Sequence, residues 1–232
     1  MTLDEMDDYF ELLLAETSAS SDFVSTAQKY DLINEGCLIF QEATHIVRPA
    51  TPYQSVTLAT GTAGYDLSSN FLAVMEGVFL FNASSEYQKE ILPQSGGYRE
   101  FILNDSDNGE PASYVIMGMT KAADTSAPVS KIIIDPPPSS TFNNYIARVY
   151  YASIPLTLDE TTDVSDIPVH FHRAPVIIAV ALYKERDQEF DQAKYYWDKA
   201  NSWINRAKRD LYSRDKSVTG WRWAKGQYAD RG

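Results

Sequence analysis

The sequence predicts an α+β protein: a helical bundle drawn from the two ends of the chain, an inserted antiparallel β-domain of sandwich or barrel-like form, and an extended C-terminal tail. Three observations predict it. Apolar side chains recur at helical spacing near both ends, the period becomes strand-like between residues 53 and 155, and the last segment mixes aromatic and basic side chains around two glycines. The expected segments are 1–50 for the N-terminal helices, 53–155 for the β-domain, 168–213 for the C-terminal helices and 214–232 for the tail.

In the first segment, Thr2 with Glu5 three residues on fits a capping box, and Leu3, Met6, Phe10 and Leu13 follow on one helical face. Ser18 to Ser21 end that helix. A second is expected from about Asp22, with Tyr30, Ile33, Cys37, Phe40, Thr44 and Val47 at helical spacing, stopping before Pro49 and Pro52. Gly36 counts against it, since a mid-helix glycine costs about 1 kcal/mol relative to alanine.

The β-domain is expected to contain strands at Ser55 to Thr60, Phe71 to Phe81, Arg99 to Asn104, Ser113 to Met119, Lys131 to Asp135 and Tyr145 to Ala152. Asn108-Gly109 offers the preference of a primed hairpin turn, and Pro136 to Pro138 terminate the strand before them.

Helix returns at Pro175, with an apolar run to Tyr183 that reads as buried. The next helix has the clearest period in the chain. Phe190, Ala193, Trp197, Ala200, Ile204, Ala207 and Leu211 alternate spacings of 3 and 4, so they are expected to pack helices within or between subunits. Beyond Ser213, Gly220 and Gly226 act as breakers, while Trp221, Trp223 and Tyr228 interleave with Arg214, Lys216, Arg222, Lys225 and Arg231. Disordered segments are poor in aromatics, so this tail reads as a docking element.

Composition narrows the function. With 232 residues and 44% apolar side chains, the chain is large enough for a real core. The one cysteine, Cys37, excludes an internal disulfide framework, as suits a reducing compartment. Asp4, Glu5, Asp7 and Asp8 have the wrong sign for a signal peptide, and the longest apolar run is about half of what spans a bilayer. A soluble protein is expected. Residues 1–183 hold 8 basic and 24 acidic side chains, and residues 184–232 hold 12 and 8, together the 20 and 32 of the whole chain. An acidic body disfavours a general nucleic-acid binder, because phosphate contacts need lysine and arginine.

Candidate chemistry is sparse. His170 and His172 form a possible metal pair, but no third ligand completes a zinc set. Glu42 and His45 share a helical face without the second histidine of a metalloprotease. Asp105, Asp107, Gly109 and Glu110 resemble the start of a calcium loop, with glycine fifth instead of sixth and Ile116 where a glutamate is needed. Carboxylate pairs (Glu86 with Glu90, or Asp159, Glu160, Asp163 and Asp166) are the acid–base candidates if the chain were a cell-wall-degrading enzyme. There is no Walker loop, GxSxG, GxGxxG or Cys/His signal. The expectation is no catalysis, no cofactor and no metal. A carbohydrate-binding module is a further alternative, and it requires exposed aromatics on the β-domain.

Several short motifs occur in an ordered series. A helix with Leu32-Ile33-Asn34-Glu35-Gly36 leads to Thr60-Gly61-Thr62-Ala63-Gly64-Tyr65-Asp66-Leu67 and Asn70-Phe71. Ile132-Ile133-Ile134-Asp135-Pro136-Pro137-Pro138 follow, then Val149-Tyr150-Tyr151-Ala152 with Pro155-Leu156, and a paired helical end. This series resembles the adaptor, or head-to-tail connector, proteins of tailed bacteriophages, and the likeness extends to about Leu211. The resemblance implies a homo-oligomeric, dodecameric ring beneath the portal protein. C-terminal segments would grip the portal, tail or nozzle proteins would dock on the opposite face, and genomic DNA would pass through the channel without specific binding. It implies residence in the virion neck, and in the host cytoplasm during assembly. Another virion ring, a head-completion or tail-terminator protein, is the alternative. Composition, not a family motif, assigns portal binding to Arg214, Lys216, Trp221, Arg222, Trp223, Lys225 and Tyr228.

Overall fold

The computed structural model describes residues 1–15, 24–94, 107–120 and 129–229, with the side chains of 119, 120 and 212–229 outside that description. Two compact units emerge, Met1–Val47 with Pro155–Gly232, and Arg48–Ile154.

The first unit holds α1 (Leu3–Ala15), α2 (Thr26–Thr44), α3 (Arg173–Arg186) and α4 (Phe190–Ala229). Thr2 and Glu5 make the reciprocal bonds of a capping box at α1. The α1 face of Leu3, Met6, Phe10 and Leu13 is buried. A second capping box, Ser25 with Gln28, starts α2, and Asp22 lies outside the described residues. His45 closes α2 in the left-handed conformation, so Val47 falls beyond the helix. Val47 is buried all the same, because the Gln41 amide accepts from its N–H (2.9 Å) and donates to its carbonyl (3.0 Å).

A helical stretch with no polar face must be encased, and the central run of α3 is. Ala174 to Ala181 are all buried, with α1, α2 and α4 packed around them. Gly36 makes this possible: a Cβ there would lie 2.3 Å from the Pro175 carbonyl oxygen, so only glycine lets the α2 and α3 backbones approach this closely. Along α4, Ala193, Ala200, Ile204 and Ala207 are buried, and Trp197 and Leu211 are half-buried. Phe190 departs from the predicted seam and is 67% exposed. It is the first residue of α4, just after the turn from α3, where no further turn of α3 covers it. Tyr196 is the buried aromatic instead, and its hydroxyl donates to the Leu13 carbonyl.

The C-terminal tail predicted as extended from residue 214 is instead a continuation of α4, which runs to Ala229. Gly220 and Gly226 each weaken a helix by about 1 kcal/mol without forbidding it, and no proline follows Pro175.

The second unit is a seven-stranded, nearly closed, barrel-like sheet. Its strands are β1 (Tyr53–Thr57), β2 (Gly64–Asp66), β3 (Phe71–Phe81), β4 (Tyr87–Pro93), β5 (Ser113–Thr120), β6 (Val129–Asp135) and β7 (Ile146–Ser153), in the order β1-β7-β3-β4-β5-β6-β2. The predicted strand Arg99 to Asn104 lies outside the described residues, while β2 and β4 are additions to the prediction. The sheet is also not wholly antiparallel: β4 and β5 pair in parallel through Leu92–Ser113 and Pro93–Tyr114. Asn108-Gly109 makes no primed turn, which requires a positive φ that neither residue has. Gly109 instead donates to the Pro137 carbonyl and accepts from the Ser139 N–H, so this segment is bound to the proline run.

Inside the sheet, Val56, Leu58, Val78, Leu80, Ile91, Ile132, Ile134, Ala147 and Val149 form the core. The β3 register shifts between Val74 and Gly77, where φ is 116° and only glycine is at ease. The edge strands β1 and β2 are joined by one side chain. The Gln54 amide donates to the Asp66 carbonyl (3.2 Å) and accepts from the Ser68 N–H (2.7 Å).

Candidate assembly surfaces

Strand alternation sends Val78, Leu80, Ala147 and Val149 inward, so their neighbours Phe79, Phe81, Arg148 and Tyr150 face outward. Tyr53 pairs directly with Tyr150, and Phe79 with Arg148. With Tyr87 of β4 they form one continuous outer cluster. Tyr53–Tyr150 and Phe79–Tyr150 centroids are 5.3 and 5.5 Å apart, and Phe81–Tyr87 are 5.9 Å apart. The Arg148 guanidinium lies over Phe81 at 3.9 Å and Tyr53 at 4.9 Å. Several rings meet edge-on, with Phe79 at 86° to Tyr150 and Phe81 at 72° to Tyr87, so they present an uneven surface with no flat row of rings.

Arg148 differs from the other described basic residues of its unit. Arg48, Lys89 and Lys131 pair with Glu76, Glu110 and Asp66. Among the described residues no carboxylate pairs with Arg148, and its Nε is buried without a hydrogen-bond partner. Sequence reasoning missed this cluster. A signal was present in Val78-Phe79-Leu80-Phe81, which is apolar at both parities, whereas a half-solvated antiparallel strand alternates.

A second surface is the segment joining the β-unit to α3. Leu156, Val164 and Val169 are 66%, 57% and 73% exposed, yet the backbone beneath them is tied down. The Asn34 side chain accepts from the Leu158 N–H (2.9 Å) and donates to its carbonyl (3.0 Å). Asp163 accepts from the N–H groups of Asp159 and Glu160, which lowers its pKa below the usual carboxylate value. Val164 bridges to Thr2, and Leu3 donates to the Asp163 carbonyl. Asp166 accepts from Leu156, while burial raises its pKa. Thus Asp163 and Asp166, offered by the sequence as acid–base candidates, shape a loop, and Asp159 and Glu160 remain exposed on it. Below it, burial pushes the Cys37 thiol up to about 12.

The other candidates do not converge. His172 is buried against the Ile167 carbonyl (2.6 Å), and desolvation lowers its pKa. His170 is exposed and stacked on Phe171, so the two imidazoles do not share a ligand position. Among the described residues no group of three His, Cys, Asp or Glu side chains is placed to hold a metal. Glu86 bonds Asn82 across the β3–β4 turn, and Glu110 pairs with Lys89. No described helix is long and apolar enough to cross a membrane.

Arg214, Lys216, Trp221, Arg222, Trp223, Lys225 and Tyr228 all fall on the backbone of α4, and their side chains lie outside the description. Compared with known proteins, the chain matches no family model and no curated protein.

Proposed function

We propose that the chain is a structural subunit of a phage head-to-tail adaptor ring, acting through docking surfaces and not through catalysis. The observation that carries this reading is α4. It has 40 residues where α3, the preceding helix, has 14, so at 1.5 Å per residue it is about 60 Å long against about 21 Å. A helix that outruns its neighbour needs another partner. Its outer portion carries the Trp221–Tyr228 aromatics and bases, in a chain whose first 183 residues are strongly acidic. Aromatic and arginine anchors are the residue types that dominate interfaces.

The encased α3, surrounded by helices from both chain ends, supports a bundle that serves as a rigid frame for ring packing. The acidic body suits a channel lining past which DNA slides, since like charge suppresses phosphate contacts. In this reading twelve copies bind the portal through α4 and receive tail or nozzle proteins on the opposite face. The test is the mass of the purified chain by light scattering, alone and with its portal ring, for the full chain and for one ending at Ser213. Association in portal-matched stoichiometry by the full chain alone is the expected result. Equal association by both chains removes the arm, and none by either removes the adaptor reading.

A further inference from the structure

We propose that Asn108-Gly109 is a latent modification site, where the chain converts its own asparagine amide to an acid, and that two backbone hydrogen bonds to Pro137 and Ser139 hold the reaction shut in the folded state. The pair is the one Asn-Gly step in the sequence, and no role described above uses it. The inference does not depend on the ring reading.

The two reacting groups are held differently. Asn108 is exposed, with its side-chain amide beside Gly61, and among the described residues no hydrogen bond restrains that amide. The nitrogen of the next residue is fixed. The Gly109 N–H donates to the Pro137 carbonyl at 2.8 Å, and the Gly109 carbonyl accepts from the Ser139 N–H at 2.9 Å. Position 109 has little freedom to be anything but glycine, since a Cβ there would lie 2.8 Å from Cγ of the Pro136 ring. The packing that demands glycine therefore also creates a labile asparagine step, because no side chain shields the following nitrogen.

Deamidation needs the Gly109 nitrogen to give up its proton and attack Cγ of the Asn108 side chain. The new N–Cγ bond closes a cyclic imide, the Cγ–Nδ2 bond breaks, and ammonia leaves with the proton. Water then opens the ring at either carbonyl, giving aspartate or isoaspartate, and no oxidant or cofactor is consumed. While the N–H is committed to Pro137 its proton is not free and the nitrogen is held in place, so the reaction waits for local opening. Either product adds a carboxylate to an acidic chain. Isoaspartate also adds a methylene to the main chain, which shifts the pairing with residues 137 and 139. The site therefore records, irreversibly, how long this segment has been open.

The test is peptide mapping by mass spectrometry of the full-length chain after incubation at neutral pH, scored for aspartate and isoaspartate at position 108. Wild type is followed folded and in guanidinium chloride. The folded chain is expected to convert at least about 10-fold more slowly, a factor that two backbone hydrogen bonds can supply. Ser139 has a φ of −75°, which proline adopts, so Ser139→Pro removes the N–H donated to Gly109 without changing that angle and should speed conversion in the folded chain several-fold. A second measurement needs no variant and decides the matter if Ser139→Pro does not fold. Exchange of the Gly109 amide hydrogen in folded wild type should be slowed by a similar factor relative to the unfolded chain. Equal conversion in folded and unfolded wild type, or a Gly109 amide that exchanges as fast as in the unfolded chain, overturns the lock. No conversion in the unfolded chain overturns the site, and a folded Ser139→Pro chain that converts like wild type overturns the role given to these bonds.

Discussion

The helical unit and the β-unit solve the same problem in opposite ways. The Ala174–Ala181 run of α3 is apolar on every side, and it is covered by other parts of its unit. Apart from Glu76 and Arg148, strands β3 and β7 are also largely apolar or aromatic on both faces, but only the inner face is covered by a core. A helix without a polar face has no stable existence in water unless it is encased, whereas a sheet keeps its backbone bonds with one face open. Each unit thus has its own core, but only the sheet leaves an aromatic face open.

The sharpest way to break this contrast is Phe40→Ala. Phe40 is fully buried and packs on Phe171 at 5.8 Å, so its loss should cost about 4 kcal/mol. Amide exchange should show the loss in α2 and α3, with β3 and β7 less affected. An equal loss in both sets of elements would show that the units do not divide the work as described.

Next in size is Gly36→Ala. Helix propensity alone favours alanine by about 1 kcal/mol. The new Cβ would nevertheless meet the Pro175 carbonyl oxygen at 2.3 Å, a backbone atom that cannot swing aside. Overpacking is expected to win, for a net destabilisation of about 2 kcal/mol in denaturant titration. A stabilised variant would show that α2 and α3 separate easily.

The smallest effect belongs to the outer face. Tyr87→Ala should cost less than about 1 kcal/mol in the same titration, because its ring is largely in water. A larger loss would mark the aromatic cluster as part of the fold's stability and weaken its reading as a docking surface.

Some of this was legible along the chain because the responsible physics is local. The Thr2–Glu5 box, the buried run of α3, the strand Phe71–Phe81 and the seam of Ala193, Ala200, Ile204 and Ala207 all follow from period and capping. Other features misled. Asn108-Gly109 has the composition of a primed turn, yet nearby Pro137 and Ser139 offer its backbone better partners. Phe190 continues a heptad that its partner helix does not extend far enough to cover. Strand β4 escaped notice because Tyr87-Gln88-Lys89-Glu90 is polar and mostly exposed, and only pairing with Val78 to Phe81 makes it a strand. Gly36 read as a weakness and proved to be the point of closest helix approach.

By itself, then, the sequence determined the α+β class, most of the helices, the apolar core positions and the acidic body with its basic end, since each depends on residues near one another in the chain. Tertiary structure alone decided the parallel β4–β5 pairing and the union of Tyr53, Phe79, Phe81, Tyr87, Arg148 and Tyr150 on one face. Those features bring together strands separated by up to about a hundred residues. No local period encodes which distant strand lies alongside, because that is settled by the packing of the whole sheet.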